Sequence, residues 1–568
     1  MRNDPQSKYQ PFPQVDIPDR AWPTRVITKP PVWLSTDLRD GNQALFEPMD
    51  RARKQELFRL LCKIGFKEIE VGFPSASQMD FDFVRHIITM GAVPDDVTIG
   101  VLTPARPELI ARTIESLVGA RRAIVHIYNA IAPVFREVVF RKTKADVVAM
   151  AVDAVCYAKS LTSAHPETDW VLEYSPETFS GAELAFSQEI CEAVVRAWAP
   201  VVGEKIIINL PATVEMSTPN VFADQVEWMH RHLTCRDAVC LSVHPHNDRG
   251  TGIAAAELAQ LAGAERVEGC LFGNGERSGN VDLAILALNL YTQGIDPGLD
   301  FSRLDEIASI VGRCTRLPLS PRHPYVGELV YTAFSGSHQD AIKKGLAAQD
   351  PRGFWNVPYL ALDPKDVGRS YEAIIRVNSQ SGKGGAGYLL ETHYGVVLPR
   401  PMLIAVSRAV QEVADCTGRE VSAADVWGVF AAKYLSDGAG FVYRGYELDE
   451  QDGHYHIRLF VDGAGRRVCW EGAGNGPLDA ATRALPGGVR LRHYEERALT
   501  AGSPANALAI IELESHAGGE GVFGAAVAPS VLAAAFEALV RAWATLYEGD
   551  ALRDRADGGE VFSAECAR

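Results

Sequence analysis

Between residues 32 and 273, eight short, β-branched and mostly apolar runs alternate with longer segments of helical period. The runs are 32–36, 67–72, 97–102, 123–128, 170–175, 205–210, 239–244 and 266–273. Helical segments lie between them at Arg51–Ile64, after Pro107, and at Ala145–Leu161, Glu183–Trp198, Asn220–Leu233 and Thr251–Leu261. Apolar strands alternating with helices imply parallel strands whose two faces are both covered. Eight such units in this length predict a (β/α)8 TIM barrel. A doubly wound open sheet is the alternative, but no glycine-rich phosphate fingerprint follows the first strand.

Beyond the barrel the pattern changes. Short helices broken by Pro and Gly predict a mainly helical connecting subdomain, with longer helices over Arg400–Cys416 and Ser422–Leu435. A hairpin of 454–461 and 466–472, a turn entering a helix over 474–485, strands at 507–515 and 521–528 and a helix over 529–547 follow. Two strand-strand-helix units predict a C-terminal α+β domain with an internal repeat. The resulting division is an extended N-terminal arm (1–31), the barrel (32–300), the connecting subdomain (301–438) and the C-terminal domain (439–568). Seven prolines in the arm predict an extended segment lying on a surface or on a partner chain, with a disordered tail as the alternative.

A net charge of −16 from 56 basic and 72 acidic residues argues against nucleic acid and anionic membrane surfaces as partners. Ten scattered cysteines without a CxxC pair read as reduced thiols of a cytoplasmic protein. No stretch reaches the roughly 20 apolar residues of a membrane span, and the N-terminus has no secretory apolar region.

The first strand runs into STDLRDGNQ, which puts Arg39, Asp40 and Gln43 at its carboxyl end, the barrel face that carries active sites. The seventh ends in VHPHND, where alternation points His244 and His246 to one side. The eighth leads into FGNGERSGN, where Asn280 either offers a carbonyl oxygen to the same place or caps a helix starting at 281. Two imidazoles and a carboxylate on one rim suit a divalent metal; a rim salt bridge and two core histidines are the plainer alternative. SGKGGAG (381–387) lacks GxxxxGK[ST], which excludes a nucleotide-hydrolysing loop and leaves a tight loop near a dimer contact or acyl-CoA entrance.

STDLRDGNQAL, LPATVEMSTPN, HPHNDRGTG and GNGERSGN together resemble the long-form 2-isopropylmalate synthase family of metal-dependent acyl-CoA Claisen-condensing enzymes. GSHQDAIKKG, NSQSGKGG and the C-terminal repeat extend the resemblance over nearly the whole chain. It implies condensation of acetyl-CoA with 2-oxoisovalerate to give 2-isopropylmalate and CoA in leucine biosynthesis. Homocitrate synthase, citramalate synthase and an acyl-CoA lyase are the rivals within the superfamily.

By the same resemblance Asp40, His244, His246 and Asn280 hold the metal (Mg2+, Zn2+ or Mn2+), with K+ as a further activator. Arg39 stabilises the developing alkoxide, Thr213 holds the substrate carboxylate and His126 helps to position substrate. Glu177 and His338 form a candidate acid/base pair, with Tyr371 beside them. Because His338 lies beyond the barrel, it implies a homodimer with shared active sites, and the C-terminal domain implies inhibition by leucine. Loop bonding for Glu177, a turn role for Thr213, a core role for His126 and a surface role for His338 are the alternatives.

Overall fold

The computed structural model describes residues 3–369, 382–417, 421–437, 440–463, 465–499, 506–516 and 521–557. The chain divides into two compact units, one of residues 1–331 with 361–370, the other of 332–360 with 371–568.

In the first unit eight parallel strands close into a barrel: β1 Val32–Ser35, β2 Glu68–Gly72, β3 Thr98–Pro104, β4 Arg122–Ala130, β5 Asp169–Glu177, β6 Ile206–Ala212, β7 Val239–Pro245 and β8 Arg266–Gly269. Closure is made by β8 against β1, with Val32 opposite Arg266 and Ser35 opposite Gly269. Alternation sorts the side chains sharply. Ile69, Val125, Ile127, Ile208, Leu241 and Val243 are buried among the apolar side chains, whereas Glu70, His126, Glu173, Asn209, Ser242, His244 and Glu268 are buried and bonded to one another across the barrel. Successive Cβ atoms on a strand point to opposite faces, so runs that read as apolar still deliver a polar residue inward at every second position.

β8 is shorter than the sequence predicts. It ends at Gly269, where a Cβ would lie 2.5 Å from the Val281 carbonyl oxygen, and Leu271–Gly273 turn tightly with Phe272 at φ +57°. Asp282, not Asn280, caps the following Leu283–Tyr291 helix by accepting from the Ala284 and Ile285 amides. The Gln78–Thr89 helix after β2, opened by Ser77, is a further barrel helix.

The N-terminal arm lies on its own barrel. Arg20 pairs with Asp224 at 2.8 Å, the Trp22 indole N–H donates to the same carboxylate at 2.8 Å, and the Ala21 amide donates to Glu227 at 2.8 Å, all on the Pro219–His232 helix. Among the described residues no helix is long and apolar enough to cross a membrane.

The second unit holds helices Gly336–Ala348, Gly382–Tyr394, Arg400–Thr417 and Ala423–Tyr434, the last opened by a reciprocal Ser422/Asp425 cap. The tight loop expected at SGKGGAG is helical from Gly382 onward. Each glycine costs about 1 kcal/mol in a helix, but Ala386, Leu389 and Leu390 are buried against Val406, Val410 and Phe430, and packing overrides propensity.

The C-terminal part has three strands per repeat rather than two. β9 Val442–Gln451, β10 His454–Gly463 and β11 Arg466–Gly474 precede the Pro477–Ala484 helix; β12 Val489–Ala498, β13 Ala507–Ser515 and β14 Val522–Ala528 precede the Val531–Asp557 helix. The two additional strands, β9 and β12, are charged, half-exposed edge strands, which lack the apolar signature of a buried one. Both sheets share a core through Leu459, Ala480, Ile511 and Phe536. β13 is buried on both faces, its Leu508 and Ile510 packing on the helices instead.

Candidate metal centre and substrate cavity

The carboxyl ends of the strands surround a cavity of about 260 Å³ lined by Arg39, Asp40, His126, Glu177, Thr213, His244, His246 and Arg277, with Leu102 and Tyr128 as apolar wall. Asp40 opens a single helical turn, Asp40–Gln43, shortly after β1, and its side chain lines the cavity. His244 and His246 reach the same place from the end of β7, two residues apart, with ring centroids 5.2 Å apart.

The three side chains offer one ligand atom each within 4.8 Å of one another, and all are buried. His244 Nε2 lies 3.1 Å from Asp40 Oδ2 and 3.0 Å from Asn280 Oδ1; His246 Nε2 lies 3.7 Å from Asp40 Oδ2. The Asn280 Nδ2 group donates to the Asn274 carbonyl at 3.2 Å, so its oxygen is the atom turned to the cluster. Asp40 Oδ1 is buried without a hydrogen-bond partner, a costly state that a cation relieves. Two imidazoles with carboxylate and amide oxygens suit a divalent cation, and on these observations the residues fit one.

The electrostatics agree. Burial would push the Asp40 carboxyl up, but Arg39, His244 and His246 hold it far below the usual carboxylate range. Against the opposing effect of burial, hydrogen bonds to Asp40 and Glu268 raise His244 to about 9, while burial and the neighbouring His244 depress His246 to about 3. Arg39 donates through Nε to Glu70 at 2.5 Å and lies 3.4 Å from Asp40. Glu70 also accepts from His126 Nδ1 at 2.9 Å, and the other His126 ring nitrogen meets the Ser175 hydroxyl at 2.7 Å.

Glu177, at the end of β5, is pushed up to about 7 by burial, against a hydrogen bond with Thr213 and the charge of Arg277. Thr213 also accepts from the Thr178 amide at 2.9 Å. Arg277 pairs with Asp248 at 2.7 Å and donates to the Thr213 carbonyl.

Of the residues singled out from sequence, Arg39, Asp40, His126, Glu177, Thr213, His244 and His246 line one cavity, and Asn280 touches it through His244. His338 belongs to the second unit, exposed on the Gly336–Ala348 helix with its ring stacked 4.0 Å from that of Tyr359. Tyr371 lies outside the described residues. Glu70, Ser175, Asn209, Glu268 and Arg277 were not singled out. For Glu70, Asn209 and Glu268 the signal was charge or amide at alternate positions of the apolar runs, as in Glu68/Glu70 and Arg266/Glu268, which marks an inward polar face; Arg277 lies in the GNGERSGN loop.

Residues 31–311 match the HMGL-like family model, 328–391 the alpha-isopropylmalate synthase post-catalytic domain-like model and 420–547 the LeuA allosteric (dimerisation) domain model. The chain is 57% identical over 566 residues to a 2-isopropylmalate synthase of Azoarcus sp. (strain BH72), with 98% of each chain covered. It belongs to the 2-isopropylmalate synthase family. Relatives of that name in Ralstonia nicotianae, over 545 residues and 95% of each chain, and in Parvibaculum lavamentivorans, over 542 residues, are also 57% identical. The 2-isopropylmalate synthase resemblance read from the four motifs is thus a full-length relationship spanning barrel, helices and C-terminal repeat.

Proposed function

We propose that this enzyme condenses acetyl-CoA with 2-oxoisovalerate and water, releasing 2-isopropylmalate and CoA at the first committed step towards leucine. The observation that carries the reading is the buried Asp40/His244/His246 cluster beside Arg39 at the mouth of the barrel.

Asp40, His244, His246 and the Asn280 oxygen would hold a divalent ion, Mg2+, Zn2+ or Mn2+, with K+ as a further activator. Such an ion supplies Lewis acidity at the ketone. Arg39, always charged and fixed at Nε by Glu70, donates to the ketone oxygen as it gathers negative charge. Thr213 donates to the substrate carboxylate, and His126, held between Glu70 and Ser175, positions the substrate from below.

Glu177 takes the proton from the thioester methyl group. Its ionised form is the base, so kcat should fall as pH drops through about 7, where the carboxyl protonates. Glu177→Gln should lower kcat by about 10²–10⁴-fold and remove that acidic limb, as read from pH–rate profiles of both proteins. An unchanged limb in the variant would take the base role from Glu177. His338, with Tyr371, works with Glu177 from the second chain of a cytoplasmic homodimer, and leucine bound by the C-terminal repeat lowers activity.

The decisive assay is thiol release from acetyl-CoA with 2-oxoisovalerate, 2-oxoglutarate and pyruvate offered separately, with and without leucine and with a chelator. Preference for 2-oxoisovalerate and loss of activity to the chelator are expected. Preference for either other acid would make the enzyme a homocitrate or citramalate synthase.

A further inference from the structure

We infer that Glu268, beyond bracing the barrel, is a positioning residue that decides which ring nitrogen of His244 faces the cation; this rests on the metal reading above. Glu268 lies on β8 with no exposed surface, its Oε2 2.9 Å from His244 Nδ1. Its other contacts are the Ser242 hydroxyl at 3.0 Å, Arg266 Nη1 at 2.5 Å, the Asn209 amide at 3.3 Å and the carboxyl of Glu173, which burial pushes well above its ordinary range and so leaves able to donate. An ionised carboxylate only accepts, so Nδ1 must carry the hydrogen and Nε2 is the nitrogen left for a ligand bond.

Arg266 keeps the carboxylate in that role. It lies two residues earlier on the same face of β8, fully buried, and pairs also with Glu173 at 3.1 Å and Glu68 at 2.6 Å. His246 has no such clamp, because its Nδ1 is buried without a hydrogen-bond partner. Orientation of the His244 imidazole therefore depends on one carboxylate. Glu173 does not reach His244 in place of it; its carboxyl meets Arg266, Glu268 and, at 3.5 Å, His126.

The test is titration of Mn2+ alone into the chelator-stripped full chain, followed by calorimetry. Glu268→Gln should bind Mn2+ about 10–100-fold more weakly, because its amide can donate to Nδ1 and drive the hydrogen onto Nε2. Glu268→Asp retains the charge opposite Arg266 but draws the carboxylate away from His244. It should show the same loss, and it carries the test if the Gln variant fails to fold. Affinity within about twofold of the parent in either folded variant overturns the inference.

Should neither fold, ¹⁵N-histidine spectra of the unmodified protein with Zn2+ decide. A ligated Nε2 with a protonated Nδ1 at His244 is expected, and ligation through Nδ1 overturns it. His244→Ala and Asp40→Ala are titrated alongside. If they bind Mn2+ as the parent does, the metal reading has failed rather than the role of Glu268.

Discussion

Asp40→Ala should lower turnover by about a thousandfold or more, the loss expected when several kcal/mol of charge stabilisation leave the reacting ketone. Asp40 is the one carboxylate in the ligand cluster, and both histidines contact its Oδ2. Calorimetry should show loss of divalent-cation binding, while circular dichroism stays that of the parent, because Arg39 retains Glu70 as its ion-pair partner. A variant that turns over at parent rates would remove the metal centre from the mechanism.

Arg266→Ala should be the most destabilising single change in the barrel. The guanidinium is fully buried and pairs with Glu68, Glu173 and Glu268 from one position. Removing one partner of a buried ion pair costs about 3–5 kcal/mol, because the remaining charges have no solvent to turn to. The pH dependence has a definite sign. Burial alone would raise Glu268, but Arg266 and His244 hold it well below its ordinary value, so the stability it contributes is fully present above an unfolded pKa of about 4.3. That contribution is lost as pH falls through the lower folded value. The gap between parent and variant should therefore be widest at neutral pH and above, shrink as pH falls and the orphaned buried carboxylates protonate above their ordinary pKa, and shrink further below about pH 4 as the parent loses its own contribution. Urea unfolding at pH 7 and pH 4 checks it, and a gap independent of pH would mean that packing, not charge, is what Arg266 supplies.

These two residues illustrate how differently parts of the site could be read in advance. Asp40, His244, His246 and Asn280 sit in short motifs at or beyond the carboxyl ends of strands, where the carboxyl-end rule gives a side chain its place without knowledge of its neighbours. Arg266, Glu268 and Glu70 sit inside strands. There a charged residue is legible as inward or outward only once the opposite face is known to be covered by helices. The cap illustrates the same limit: Asn280 and Asp282 are both good capping types, and only the path of the turn at Leu271–Gly273 gives the helix start to Asp282.

Local periodicity and residue type, properties carried by consecutive positions, determined the eight β/α units, the set of metal-ligating types and the presence of a C-terminal repeat. Tertiary packing alone decided the rest. It turned the inner face of the barrel into a bonded network, held Gly382–Tyr394 as helix against its glycines and added the charged edge strands β9 and β12. It also laid the N-terminal arm on Asp224 and Glu227. Each of those outcomes depends on contacts between residues tens to hundreds of positions apart, and their energies exceed the local preferences that a linear reading can weigh.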